Sequence, residues 1–294
     1  MDHAAYRPTH NNPRGVIWML LAVVCLTGMF AILKHMANEL PFWVVALMRT
    51  AVALALFAPW FARVGIAGVA TRRIGLHFLR AFFGTASFAC VVYALGKLLL
   101  SDTMVLSFTA PFWSITISAL LLGEVIRRHR ITATIVGFIG VVMIVKPKGD
   151  IDPAMLVAVI SALFTSGAMV SMKSLTSSEP PMRIVFWFFV FGTLLLLPPA
   201  IITWQTPNPV QLAWLVGAGL LGAVGQNFLA RSYDAGEIGV VAPFDFLRLP
   251  MAALLGFLVF QEIPDGWSAL GTLVIIAASL YIARREAQIR ALAK

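Results

Sequence analysis

Asp245 and Arg248 stand three residues apart inside VVAPFDFLRLPMAALLGFLVFQE, residues 240–262, a run apolar and long enough to cross a bilayer. An Arg at mid-bilayer costs about 2.5–3.5 kcal/mol on insertion scales, so such a residue faces a partner or a wet cavity. At this spacing the two side chains share a helical face and can pair. Pairing lowers the cost of the two charges without explaining why the segment carries them. Pro243 and Pro250 flank the pair. Each withholds a backbone N–H and leaves a carbonyl one turn back in need of another donor. Together with the adjacent Phe244, these features describe a substrate cavity lining or an ion pair that staples the segment to a neighbour.

Other polar residues recur at the same depth. Thr103, Ser107, Pro111, Ser114 and Ser118 are spaced 4, 4, 3 and 4 apart, which places them on one helical face. A hydroxyl stripe of this kind lines a cavity or packs closely on another helix. Trp113 beside it could stack on a planar or cationic ligand, or fill the core. Gln226 and Asn227 are amides in an apolar run and would bond across the bundle or to cargo. Arg49 could snorkel to the surface, bridge to Asp245 or meet an anionic substrate group. Arg80 lies nearer an end and reads as an anchor. The candidate substrate-binding set is therefore Asp245, Arg248, Trp113, Ser107, Ser114, Arg49, Gln226, Asn227 and Phe244.

The elements that must position these residues are membrane helices. The 294 residues are 60% hydrophobic and only 12% charged, with mean hydropathy +0.89. Soluble domains carry about 25% charged residues. Apolar windows predict ten spans: 16–36, 42–62, 75–96, 102–122, 131–147, 153–173, 183–204, 211–231, 238–260 and 266–283. With the N-terminus placed in the cytoplasm, sixteen Lys and Arg fall on that side and four on the other, with Arg49 and Arg248 inside spans. That asymmetry predicts both termini cytoplasmic and the first apolar run retained as a span. The net charge of +9 is then an orientation signal suited to anionic lipid, not to nucleic acid. Trp18, Trp43, Trp60, Trp204, Trp214 and Trp267 fall near span ends, as an aromatic belt would.

The chain also repeats itself. Glu124 closes the fourth run and Glu262 the ninth, 138 residues on; Gly84 and Gly222 are 138 apart, Lys34 and Lys173 139, Pro41 and Pro181 140. Five spans per copy is an odd number, so the second copy enters the membrane from the opposite side. This predicts an all-α membrane protein of ten transmembrane helices in two inverted five-helix repeats, with a midplane site between them. The expected parts are a cytoplasmic tail 1–15, repeats 16–147 and 153–283, and a cytoplasmic tail 284–294. In that frame Lys34 and Glu262 lie at one face, and Lys173 and Glu124 at the other. Each pair is a candidate gate latch, with independent interfacial anchoring as the alternative. Exchanging the charges within a pair is expected to restore transport if the latch is real.

The segments LSFTAPFW…LLLGE (106–124), GFIGVVMIVKP (137–147) and VAPFDFLRLP…GFLVFQEIPDGWSALGTLVI (241–275), with the repeat itself, resemble the drug/metabolite transporter superfamily in its ten-span form with two EamA-type domains. The resemblance covers roughly 15–283. One departure is Phe260-Gln261-Glu262 where the first copy has Leu122-Gly123-Glu124. The resemblance implies a multi-pass inner (plasma) membrane carrier of a small organic metabolite, amino-acid-like or nucleoside-like. Alternating access, membrane lipid as partner, a proton as candidate coupling ion through Asp245, and a homodimer as candidate assembly complete the expectation. No cofactor, metal site or enzyme activity is expected. The five histidines form no HExxH motif, and Cys25 and Cys90 belong to no Cys/His cluster. The rival readings are a membrane scaffold or receptor, or a membrane-embedded enzyme.

Overall fold

The computed structural model describes residues 11–110, 112–113, 128–145, 152–176, 178–236, 241 and 244–292. Every regular element among them is helical: α1 (Asn12–Ala37), α2 (Phe42–Ala55), α3 (Ala58–Val69), α4 (Ile74–Leu95), α5 (Leu100–Ser107), α6 (Arg128–Val145), α7 (Pro153–Thr176), α8 (Pro181–Ile202), α9 (Pro209–Ala235), α10 (Arg248–Phe260) and α11 (Gly266–Leu292). Their starts carry the expected chemistry. Asn11 accepts a bond from Arg14 N at 3.1 Å, and Asn208 forms a reciprocal capping box with Gln211. Pro13, Pro59, Pro181 and Pro209 occupy first-turn positions, where a missing N–H costs nothing. Five described helices are long and apolar enough to cross a membrane, six with α2 and α3 taken as one bent pair. Trp204, Trp214 and Trp267 are exposed near helix ends, where an interfacial belt belongs.

Packing shows the inverted repeat. Helix α1 lies along α9, and α7, the counterpart of α1, lies along α4, the counterpart of α9. The pairing of α4 with α8 is answered by that of α9 with α2, and the pairing of α5 with α7 by that of α10 with α1. Three further close pairs, α2–α8, α5–α10 and α6–α11, join each helix to its own counterpart. That is the pattern a pseudo-two-fold axis in the membrane plane generates. Glycines bring the backbones together. A Cβ on Gly140 would lie 2.9 Å from Gly271 O, one on Gly271 2.7 Å from Gly140 O, and one on Gly15 2.9 Å from Gly236 Cα.

Three expected spans are not continuous helices. Residues 42–62 break at Leu56–Phe57, and α3 leaves at 71° to α2. Pro59 is the cause: it has no N–H for Ala55 O, and its ring crowds that carbonyl. The fourth span turns at Phe108–Thr109 and the ninth at Phe246–Leu247, again 138 residues apart. Ser107 O and Phe246 O are the carbonyls that Pro111 and Pro250 cannot serve. The donor that Phe246 O needs comes from the protein itself: it accepts Leu249 N at 3.0 Å in a tightened turn. The rings of Phe108 and Phe246 meet at 5.5 Å, so the axis passes between the two breaks.

Helix α10 ends on Gln261, which adopts a left-handed conformation at φ 55° and is the one such non-glycine among the described residues. Gly123 stands at the matching place in the first repeat. A side chain in this region costs about 1–2 kcal/mol. Gln261→Gly is therefore expected to raise the midpoint of thermal unfolding in detergent, by an amount worth about 1 kcal/mol. An unchanged or lower midpoint would show the conformation is not strained.

Candidate functional site

Asp245 Oδ1 and Arg248 Nη2 stand 2.6 Å apart, so the i,i+3 pair forms. Among the described residues neither atom makes an aligned hydrogen bond and the buried Arg248 Nε has none either, so the contact is electrostatic and leaves donor capacity unspent there. The guanidinium carbon of Arg248 lies 5.8 Å from the Phe108 ring, at the turn where the two repeats meet. Phe244 is half-buried against Met19, Val23 and Val241, which ties the start of this segment to α1.

Trp113 packs edge-on to Phe138 at 5.1 Å, and its buried indole N–H has no acceptor among the described residues. Ser107 is engaged in packing: its hydroxyl donates to Thr103 O at 2.8 Å and meets Ser161 Oγ at 3.2 Å. Ser87 Oγ reaches Ser161 O at 2.8 Å and Thr165 Oγ1 at 2.7 Å, and Ser166 Oγ donates to Ala110 O at 2.7 Å. These hydroxyls join α4, α5 and α7. Gln226 and Asn227 are half-buried on α9, and neither has a hydrogen-bond partner among the described residues. Ser114, Glu124 and the Lys173 side chain lie outside the described residues.

Arg49 neither snorkels nor reaches Asp245. It is 3% exposed, with its guanidinium carbon 4.7 Å from the Phe88 ring and 5.5 Å from Phe189. A Cβ on Gly222 would lie 2.7 Å from Nη2 and 2.9 Å from Nε, so this side chain needs a glycine opposite it. No carboxylate pairs with it among the described residues, and its Nε has no hydrogen-bond partner. Arg80 is half-buried and stacks on Phe188 at 4.5 Å.

Lys34 and Glu262 come together. Nζ and Oε1 are 2.6 Å apart, and Lys34 is 6% exposed. Lys34 also donates to Leu95 O at 3.3 Å and to Leu98 O, the carbonyl end of α4. Glu262 Oε2 accepts Leu100 N at 2.8 Å, the amide end of α5. Each charge meets the helix terminus of opposite sign, so one ion pair joins α1, α4, α5 and α10 at one face.

The EamA-like transporter family model matches residues 13–146 and again 152–284. The chain belongs to the EamA-like transporter family. It is thus a multi-pass membrane protein of the drug/metabolite transporter type, built from two EamA-like repeats. A riboflavin transporter of Vibrio cholerae is 30% identical over 284 residues, covering 94% of this chain and 95% of its own. Another, from Rhizobium johnstonii, is 33% identical, with 92% and 91% covered. An S-adenosylmethionine uptake transporter of Rickettsia prowazekii is 28% identical, with 92% and 93% covered. A solved crystal structure matches at TM-score 0.64 and 16% identity, covering 94% of this chain and 99% of that one, a likeness of fold.

This EamA-like chain holds a second polar cluster that the sequence reading missed. Glu179 accepts Thr71 Oγ1 at 2.5 Å and Arg183 Nη1 at 2.6 Å, and lies 3.9 Å from His77 Nε2. Arg73 donates to Ser174 O at 2.7 Å and Ser178 Oγ at 2.9 Å, and Trp187 Nε1 to Val69 O at 2.9 Å. The repeat held the signal. Glu179 follows Glu39 by 140 residues, as Pro181 follows Pro41, and Gln211 follows Arg73 by 138. Gln211 Nε2 does bond Glu39 Oε2, at 2.9 Å.

Burial pushes the Glu179 carboxyl up, but the bonds from Thr71 and Arg183 and the nearby positive charges outweigh it and hold it below the usual carboxylate value. A depressed folded value adds stability above the unfolded pKa and loses it as pH falls through the folded one. Glu179→Gln is expected to destabilise the protein by about 1–3 kcal/mol at pH 7, the range for charge-assisted bonds. The gap to wild type should narrow below about pH 4. A gap independent of pH would contradict this.

Proposed function

We propose that this chain is a secondary transporter of a small organic metabolite, amino-acid-like or nucleoside-like, in the cell's inner (plasma) membrane. It works by alternating access, with both termini cytoplasmic. Relatives named for riboflavin, S-adenosylmethionine and pseudopaline support a small metabolite as the cargo class. The sixteen-to-four distribution of Lys and Arg supports the orientation.

The observation that carries the mechanism is the Lys34–Glu262 pair. It closes the face at which α1, α4, α5 and α10 end, and the repeat supplies Lys173 and Glu124 as the matching pair for the other face. A closed face with a symmetric second gate is what alternation between two arrangements requires. Cargo then sits between the gates, near the Phe108–Phe246 contact. Arg248, Asp245, Trp113, Phe244, Gln226, Asn227, Ser114 and Arg49 offer it charge, donors and stacking area, while the Ser107 hydroxyl stays with Thr103 O and Ser161. The unspent donors of Arg248 and Trp113 are the best placed to meet it. Asp245 remains the carboxylate through which a proton could couple, and any proton there must compete with Arg248 at 2.6 Å.

The geometry changes what a charge exchange should do. Lys34 faces carbonyls and Glu262 faces an amide, so the two residues are not interchangeable. Lys34→Met alone leaves a buried carboxylate unpaired, at about 3–5 kcal/mol, whereas joint neutralisation removes both charges. Proteoliposome uptake, screened over a metabolite library, should fall at least tenfold in Lys34→Met and recover partly in Lys34→Met/Glu262→Gln. The Lys34→Glu/Glu262→Lys exchange should stay inactive. Uptake unaffected by Lys34→Met would sink the gate, and wild-type protein that moves no metabolite would sink the transport reading.

A further inference from the structure

A hollow of about 370 Å³ lies between α2, α4, α7 and α8, and none of the residues offered to cargo lines it. Its walls include Trp43, Phe82, Ala89, Cys90, Val157 and Leu196, and none of the described residues that line it is charged. It follows α4 from Phe82 to Tyr93, eleven residues, or about 16 Å. The Leu95 end of α4 meets the Lys34–Glu262 pair, so the hollow runs from near that face to mid-depth. Half of a bilayer's hydrocarbon core is about 15 Å thick. Phe82 is both a wall of the hollow and an exposed side chain, so the hollow opens sideways onto the lipid-facing surface.

The inverted repeat shows that the fold does not require this hollow. Val157 on α7 and Cys90 on α4 line it. Their counterparts, 139 and 138 residues away, are Trp18 on α1 and Phe228 on α9, and those two rings stack at 5.3 Å. Tyr93 is matched by Arg231, whose guanidinium carbon lies 5.1 Å from the Trp18 ring. The α1–α9 seam is therefore filled by aromatic side chains, while the equivalent α7–α4 seam stays open behind a valine and a cysteine. Protein interiors pack closely, and an apolar gap costs stability unless something occupies it. Apolar cavities stay dry and take apolar guests. A charged metabolite would find no partner on these walls.

We propose that this hollow holds one acyl chain of a membrane phospholipid, drawn from the leaflet on the Lys34–Glu262 side. The chain lies along α4 with its head group at the Trp43 and Tyr93 end, where amphipathic rings suit the edge of the hydrocarbon. Its length, the uncharged walls and the opening at Phe82 all match. The chain touches α2 and α4 of the first repeat and α7 and α8 of the second, so the lipid bridges the two halves. It is a partner and not the cargo, and its binding does not depend on the transport reading.

The test places the purified full chain in vesicles of phosphatidylcholine that carries a photoreactive diazirine in mid-chain, and maps the adducts by peptide mass spectrometry. Wild type should carry adducts at Ala89, which is 5% exposed, as abundantly as at Ile139, an exposed residue of α6. Val157→Trp/Cys90→Phe copies the filled seam of the other repeat. It should lower the Ala89 adducts at least fivefold and leave those at Ile139 unchanged. Cys90→Phe alone should give a smaller loss in the same direction, which covers the case in which the double variant does not fold. Absence of Ala89 adducts in wild type would overturn the proposal, as would Ala89 adducts that survive the double variant. Ala89 adducts displaced by a water-soluble metabolite would make the hollow a cargo site and overturn it too.

Discussion

A buried ion pair, Lys34 with Glu262, holds four helix ends at one face of this protein. Its strength lies in what surrounds it. Helix α4 stops with carbonyls unsatisfied, α5 starts with amides unsatisfied, and away from water such groups need partners inside the protein. Lys34 serves the first set and Glu262 the second, while each neutralises the other. The bridge therefore has a direction, set by the helix dipoles, and it couples the ends of α1 and α10 to the α4–α5 corner. Separating the two charges would also uncap both helices.

The inverted repeat turns that local event into a possibility for the other face. Counterpart helices pack on one another at α2–α8, α5–α10 and α6–α11, so the axis runs through the molecule's interior. Where the fourth and ninth spans meet it, both lose their helical hydrogen bonding within a turn of a proline. Phe108 and Phe246 touch at those breaks, and Arg248 lies over Phe108. A broken span can bend where an intact helix would resist. The same residues that interrupt the helices place a charge and aromatic faces at mid-depth, where a cargo would pass.

Much of this was legible in the sequence because hydropathy and charge distribution act over whole segments. The helical class, the repeat offset and the Asp245–Arg248 pairing needed only period and spacing. The breaks were not legible in position: Pro243 and Pro250 announced trouble, but whether a freed carbonyl meets a ligand or tightens into a turn depends on neighbouring donors such as Leu249 N. The place of Arg49 depended on glycines in another helix, since only the absence of a side chain at Gly222 admits its guanidinium. Ser107 read equally well as cavity lining or packing, and its contact with Ser161 on α7 is a tertiary fact that no stripe encodes. Glu179 was missed although the repeat pointed to it, because Thr71 and His77, which join it alongside Arg183, come from more than 100 residues away.

The central claim, that the Lys34–Glu262 pair decides whether this face is closed, is tested most directly by pulsed electron resonance in lipid nanodiscs. Spin labels at the exposed positions Asn38 and Ile263 report on this face, and labels at exposed Leu20 and Val224 report on the packed α1–α9 pair as a control. In a background with Cys25 and Cys90 replaced by Ser, wild type should give one short Asn38–Ile263 distance. Lys34→Met should add a longer population there and leave the Leu20–Val224 distance unchanged. An Asn38–Ile263 distribution untouched by Lys34→Met would contradict the account.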